Sequence, residues 1–220
     1  MEYPDLSPYV YRELPMPMRC VGWLGPQLGI QGGGSRRLDD PGRARLRAAS
    51  WNLVSISLGW HECEFCPAPA RFQGNGEYRY YCRGGAIYSA PMMILHYVGE
   101  HEYRPPAEFL ADLGPEGGLE WDWRADRLAT AVLDQSEDLE IRAEAVADIV
   151  NWREPRALDV LWQAARDGSL ALAGFKVGQA IGHFAGCDFA GDLLAEDFHS
   201  EVRQGIHAAL SAAGLRQGDD

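Results

Sequence analysis

Cys63-Glu-Phe-Cys66 and, further along, His96-Tyr-Val-Gly-Glu-His101 restrict this chain more than any other feature. A CxxC knuckle presents two thiolates from one tight turn. Two imidazoles at a helix end supply the other half of a tetrahedron, the closed four-ligand set that structural zinc favours. The spacing therefore predicts a zinc site built from Cys63, Cys66, His96 and His101. Histidines five apart on a regular helix point about 140° apart around its axis. Both reach one ion only where the helix loosens, and Gly99 between them with Pro105 beyond provides for that. The competing reading is two small buried hydrophobes and two polar helix residues. Against it, thiolates need a cation to stay ionised in a packed site. His61 and Cys82 are the spare candidates, either as an alternative ligand or as a neighbour that orients a sulfur.

A hydrolytic zinc keeps one position open for water and needs a general base nearby. The chain has no HExxH. His61-Glu62-Cys63 looks superficially like the deaminase signature, but the cysteines follow at once instead of a helix later. The expected metal is a structural zinc, and these signals favour a non-catalytic role while leaving an enzyme open as the alternative.

With 220 residues, 46% of them hydrophobic and 24% charged, the chain is long enough for one large domain or two small ones. No apolar run approaches the ~20 residues of a membrane helix. Met1-Glu-Tyr-Pro-Asp-Leu has neither the basic nor the apolar part of a signal peptide. The expectation is a cytoplasmic, reduced setting, where five cysteines favour metal over disulfides.

Charge divides the chain. Residues 1–107 carry 11 basic against 10 acidic residues, a formal +1; residues 108–220 carry 9 against 22, a formal −13, for the net −12. Such an acidic half repels nucleic acid and anionic membranes and attracts basic partners at long range. Solvation of helix faces is the plainer alternative. Arg36, Arg37, Arg43, Arg45 and Arg47 form a basic stretch, yet the overall charge argues against a nucleic-acid binder.

Pattern divides it the same way. The Pro- and Tyr-rich Pro4–Pro17 segment reads as extended, Cys20–Leu24 as a short strand, and residues 31–37 as a loop. Asp40-Pro41 looks like an N-cap with proline at the first helical position, opening a helix over 41–53. Glu77–Cys82 and Ala86–Ser89, joined by Arg83-Gly84-Gly85, form a hairpin signal. Pro91 then opens a helix that ends before Pro105-Pro106.

From about Trp123 onward helical periodicity takes over: Ile141, Ala145, Ile149 and Val150; Leu158, Leu161, Trp162 and Ala165; Ala173, Val177, Ile181 and Phe184. A weak internal repeat starts at Ile141, Leu172 and Val202, at intervals of 31 and 30 residues. It resembles short HEAT-like repeats over residues 125–213, with Arg142 and Arg203 in the matching place and Ala173 where the middle copy lacks its arginine. The period is shorter than the ~40–47 residues of HEAT arrays, and a compact bundle without true repeats stays open. The predicted class is α+β: a small zinc-bound α+β module over 1–115, then an all-α HEAT-like domain over 120–214.

The run from Tyr3-Pro-Asp-Leu-Ser-Pro-Tyr through Val21-Gly-Trp-Leu, His61-Glu-Cys-Glu-Phe-Cys-Pro, Gly74-Asn-Gly-Glu and Tyr88-Ser-Ala-Pro to His96-Tyr-Val-Gly-Glu-His-Glu-Tyr-Arg-Pro-Pro-Ala-Glu-Phe resembles an uncharacterised family of small bacterial proteins of actinobacterial type. The likeness covers about residues 1–110. It implies a zinc-finger-like accessory domain, sometimes grouped with toxin-immunity neighbourhoods, and carries no activity.

The function expected from these readings is protein interaction. An acidic face of Glu137, Asp138, Glu140, Glu144 and Asp148, anchored by Trp152, would meet a basic protein in an immunity, antitoxin or adaptor role. The alternative is an enzyme or accessory enzyme of small-molecule metabolism, with a pocket between the halves lined by Trp60, Tyr97 and Trp121.

Overall fold

The computed structural model describes residues 1–30, 37–56, 59–67, 72–113, 118–194 and 197–216. The loop expected over 31–37 lies outside them except for Arg37. Two compact units divide the chain: Met1–Arg12 with Pro17–Gly117, and Glu13–Met16 with Gly118–Asp220. The first is mixed α+β around a small sheet and the second is helical. Among the described residues no helix is long and apolar enough to cross a membrane.

The first unit is built on the hairpin. β5 (Glu77–Tyr81) and β6 (Ile87–Pro91) pair antiparallel with Tyr81 opposite Ile87. The turn between them closes through Cys82 N–H to the Ala86 carbonyl, with Gly85 at φ +92°, where a side chain would be strained. β2 (Leu53–Val54) adds antiparallel to β5, and β1 (Arg19–Cys20) adds parallel to β6, giving the order β1-β6-β5-β2. β3 (His61–Glu62) and β4 (Gln73–Gly74) form a separate two-stranded ribbon that carries the CxxC loop between its strands.

Several boundaries differ from the sequence reading. The strand expected over 20–24 is shorter and starts at Arg19. α1 runs Asp40–Ala49, and its N-cap is Asp39, whose carboxylate accepts the Gly42 N–H. Pro91 does not open a helix. It ends β6 opposite Glu77, and Met92 N–H bonds the Gly76 carbonyl, so the ladder holds this stretch until α2 begins at Ile94 (Ile94–Glu100). A proline at a strand end forfeits no ladder donor that the sheet needs. The N-terminal segment lies against its own unit, with backbone bonds from Tyr3 to Trp23, Leu6 to Cys20 and Tyr9 to Met18. α3 (Ala107–Asp112) closes the unit by burying Phe109 edge-on against Tyr80 and Tyr88. The core gathers Val21, Leu46, Tyr88, Ile94, Tyr103 and Phe109.

The second unit contains α4 (Trp123–Leu133), α5 (Leu139–Ile149), α6 (Pro155–Arg166), α7 (Gly174–Gly182) and α8 (Ser200–Arg216). Asp122 and Asp138 cap α4 and α5 by accepting backbone N–H groups of the first turn, as acidic N-caps do. A 3₁₀ turn, Gly168–Ala173, takes the place where the middle sequence repeat would begin its helix. α5 packs against both α4 and α7 and so buries more than one face. α7 and α8 approach backbone to backbone. A Cβ on Gly178 would run into the Val202 carbonyl, and one on Gly205 into the Phe175 carbonyl.

Candidate metal centre

Two pieces of local structure bring four donors together. The chain leaves β3 through a turn in which Cys66 N–H bonds the Cys63 carbonyl (3.3 Å), while Cys63 N–H bonds the Phe72 carbonyl (3.0 Å). The backbone N–H groups of Phe65 and Cys66 point at the Cys63 sulfur. That arrangement favours a thiolate there. The second piece is the end of α2. His96 lies within the helix and His101 is its C-cap, at φ −114° and ψ 11°. The expected loosening is there: Glu102 takes φ +58°, and Tyr103 N–H reaches back to the Tyr97 carbonyl. This break swings the His101 imidazole beside that of His96.

The result is compact. Cys63 Sγ lies 3.2 Å from His101 Nε2, and Cys66 Sγ lies 3.3 Å from His96 Nε2 and 3.4 Å from His101 Nε2. The two Nε2 atoms are 3.1 Å apart, and all four donor atoms fall within 4.8 Å of one another. A tetrahedron with metal–sulfur bonds of about 2.3 Å and metal–nitrogen bonds of about 2.0–2.1 Å has S···N edges near ~3.5 Å and N···N edges near ~3.3 Å. The four side chains thus already stand at the corners of a coordination polyhedron and can bind a metal ion. An ion held by all four has no tetrahedral position left for water.

Aromatic rings fix the ligands. Phe72 stacks on His96 at 4.7 Å with 7° between the planes, and Phe65 packs against both Tyr97 (5.7 Å) and His101 (5.8 Å). Phe72 has no spacing signal in the sequence; only the β3–β4 pairing brings it to His96. Burial raises the Cys63 thiol above its ordinary value, opposed by those two backbone N–H groups, and the neighbouring Cys66 sulfur adds to the rise. Burial also lowers His96, with His101 beside it acting in the same direction. Without a cation the pocket favours a neutral thiol and a neutral imidazole. A dication at the centre reverses the preference at sulfur.

The spare candidates stay outside this group. His61 is exposed on β3, and Cys82 is buried with its sulfur 3.9 Å from the Tyr80 carbonyl.

The acidic-face residues part company. Glu137, Asp138 and Glu140 are exposed, but Glu144, Asp148 and Trp152 are buried. Glu144 accepts from Lys176 (3.0 Å), and the Trp152 indole N–H donates to the Glu120 carbonyl (3.0 Å). Buried, these three present no docking face: Glu144 and Asp148 lie on α5, which packs against both α4 and α7, and Trp152 follows it in the chain. The three residues of the alternative pocket are divided between the two units. Trp60 and Tyr97 line a cleft within the first unit. Trp121 belongs to the second, where the Arg156 guanidinium lies 4.5 Å above its ring.

Fold and site together define a small α+β unit with a two-cysteine, two-histidine cluster, joined in sequence to a helical unit. The chain belongs to the DUF7919 family, described as a domain of unknown function, whose profile matches residues 1–114. No curated protein and no solved structure matches the chain.

Proposed function

We propose that this chain is a non-catalytic interaction protein of bacterial origin, working in the cytoplasm. A structural zinc would staple its first unit, and its helical unit, HEAT-like in organisation, would take a basic protein partner. The zinc reading rests on the donor set: two thiolates and two imidazoles suit that ion, and the closed tetrahedron suits a structural role. The cytoplasmic reading rests on five cysteines that are all free of disulfides.

The observation that carries the partner reading is an open groove on the second unit. Leu172, 91% exposed, and Phe175 stand bare along it, while Asp138 and Glu140 supply exposed carboxylates at its rim. Bare aliphatic and aromatic side chains flanked by two carboxylates, with Lys176 of the lining paired to Glu144, fit an amphipathic basic segment whose apolar residues enter the groove and whose cations meet the rim. The acidic charge of residues 108–220 would speed its capture at low salt. An immunity-type or adaptor role matches this chemistry, since carboxylates would cover a basic protein's cationic surface.

The test is capture by the tagged chain from a lysate of its source at low and high salt, beside Leu172→Asp and Glu140→Lys variants. The reading expects a basic protein, held stoichiometrically at low salt, released at high salt and lost by both variants. Capture that both variants retain, or a chain that holds nothing at low salt, would overturn it.

A further inference from the structure

The first unit contains a cleft of about 380 Å³ that the metal centre does not explain. That is roughly a dozen waters' worth of liquid volume, and within the usual ~300–1,000 Å³ of small-ligand pockets. Trp23, Trp60 and the paired methionines Met92 and Met93 make its apolar walls. Trp60 is 60% exposed, a large aromatic left open at the cleft.

The cleft's charge has both signs. Arg12 lines it, with its guanidinium 5.4 Å from the Tyr11 ring centroid. Glu62 and Glu64 line it from the CxxC ribbon; both are exposed, and Glu62 accepts from the Gln73 side-chain amide (3.0 Å) through one oxygen. Glu77 also faces it, but that carboxylate is already engaged. It accepts from Arg79 (2.7 Å), from the Tyr9 hydroxyl (2.7 Å) and from the Ser89 hydroxyl (3.1 Å). A purely anionic ligand would meet Glu62 and Glu64, and a purely cationic one would meet Arg12. A ligand carrying both charges satisfies both.

Ser55, another wall residue, is held at φ +53° while its hydroxyl accepts from Arg79 at 2.6 Å. Backbone strain in a non-glycine residue persists only where surrounding structure over-determines it, and it gathers at ligand sites.

We infer that this cleft binds a small zwitterion of amino-acid or dipeptide type with an apolar side chain. Arg12 receives the carboxylate, Glu62 and Glu64 receive the ammonium, and Trp23, Trp60 and the methionines hold the side chain. Glu62 and Glu64 flank Cys63, so the fold that a bound metal would hold also sets the acidic wall. The inference is independent of the groove on the helical unit.

The experiment is calorimetric titration of the full, metal-loaded chain with L-phenylalanine and the dipeptide Leu-Phe. Phenethylamine and 3-phenylpropionate serve as single-charge controls. Both zwitterions bind, and each control binds at least about tenfold more weakly, the loss of one charged contact. Arg12→Met removes the advantage of L-phenylalanine over phenethylamine. Glu62→Gln with Glu64→Gln removes its advantage over 3-phenylpropionate. Circular dichroism and metal content confirm that each variant is folded. No binding of either zwitterion at millimolar concentration would overturn the inference. So would equal affinity for zwitterions and controls, or ratios unchanged in the folded variants.

Discussion

His96 Nε2 and His101 Nε2 face each other across 3.1 Å at the end of α2, with the two cysteine sulfurs beside them. Two neutral imidazole nitrogens at that distance oppose lone pairs unless a proton or a cation lies between them. One proton satisfies one pair. A dication satisfies four donors at once, and the sulfurs at 3.2 to 3.4 Å from these nitrogens make up that number.

The purified chain is therefore expected to carry one zinc, counted by mass spectrometry of the native protein. Cys63→Ser and His96→Ala should each lose it and lower the melting temperature of the first unit, because structural zinc binding is itself folding free energy. Chelation should do the same to the unaltered chain. Cys82→Ser, outside the group, should keep the metal. A metal-free chain that melts unchanged would remove the site from consideration.

A second test concerns Glu77 and Arg79, an ion pair with both side chains almost wholly buried and 2.7 Å between them. Removing one partner of such a pair strands a charge away from water. Arg79→Met should destabilise the first unit by about 3–5 kcal/mol in urea denaturation. The double variant Glu77→Gln, Arg79→Met should lose less, since no bare charge remains. Equal losses would mean that the Tyr9 and Ser89 hydroxyls, not Arg79, hold the carboxylate.

What the sequence made legible was local. The CxxC turn, the hairpin around Arg83-Gly84-Gly85 and the helix end between Gly99 and Pro105 each rest on a few adjacent residues with strong conformational preferences. The metal ligands followed from donor chemistry added to those turns. What depended on distant partners stayed hidden. The parallel pairing of Arg19–Cys20 with Tyr88 and Ser89 has no local signature. Glu144 and Asp148 look like solvated helix positions, yet both are buried, because a charge does not disclose that Lys176 or an enclosing helix awaits it. Leu172 erred the other way: it fits an apolar repeat position and stands 91% exposed. The cleft draws on residues from Met1 to Tyr97, which no linear pattern connects.

Acid should weaken the second unit through Asp167. Its carboxyl accepts from Arg142 Nη2 at 2.6 Å, and from the Ser169 hydroxyl at 2.7 Å and backbone N–H at 2.9 Å. Arg142 first and Ser169 next hold it at about 2, below its ordinary 3.8. The unfolded chain then takes up a proton that the folded one refuses. This contribution to stability is complete above the unfolded value near ~4 and is lost as the pH falls towards 2. Asp167→Asn should cost about 1–3 kcal/mol at neutral pH, where a charged hydrogen-bond partner of Arg142 is removed. It should also flatten the fall in stability between pH 4 and pH 2, as followed by the helical circular dichroism signal. A pH profile identical to that of the unaltered chain would assign the acid sensitivity elsewhere.

The close crossing of α7 and α8 predicts opposite signs for two substitutions in one helix. Gly205 sits where a methyl group would strike the Phe175 carbonyl, and Gly178 opposite it would strike the Val202 carbonyl. Neither obstacle is the far end of a flexible side chain, so the helices themselves must move apart. Gly205→Ala and Gly178→Ala should each destabilise the second unit by about 1–3 kcal/mol, despite the better helix propensity of alanine. Gly214, also within α8, has nothing within 4 Å of its would-be Cβ. There propensity acts alone, and Gly214→Ala should stabilise the helix by up to about 1 kcal/mol, less where the end of α8 frays. Thermal melts of the three variants separate the cases. If Gly205→Ala were as benign as Gly214→Ala, α7 and α8 would have to be farther apart than backbone contact allows.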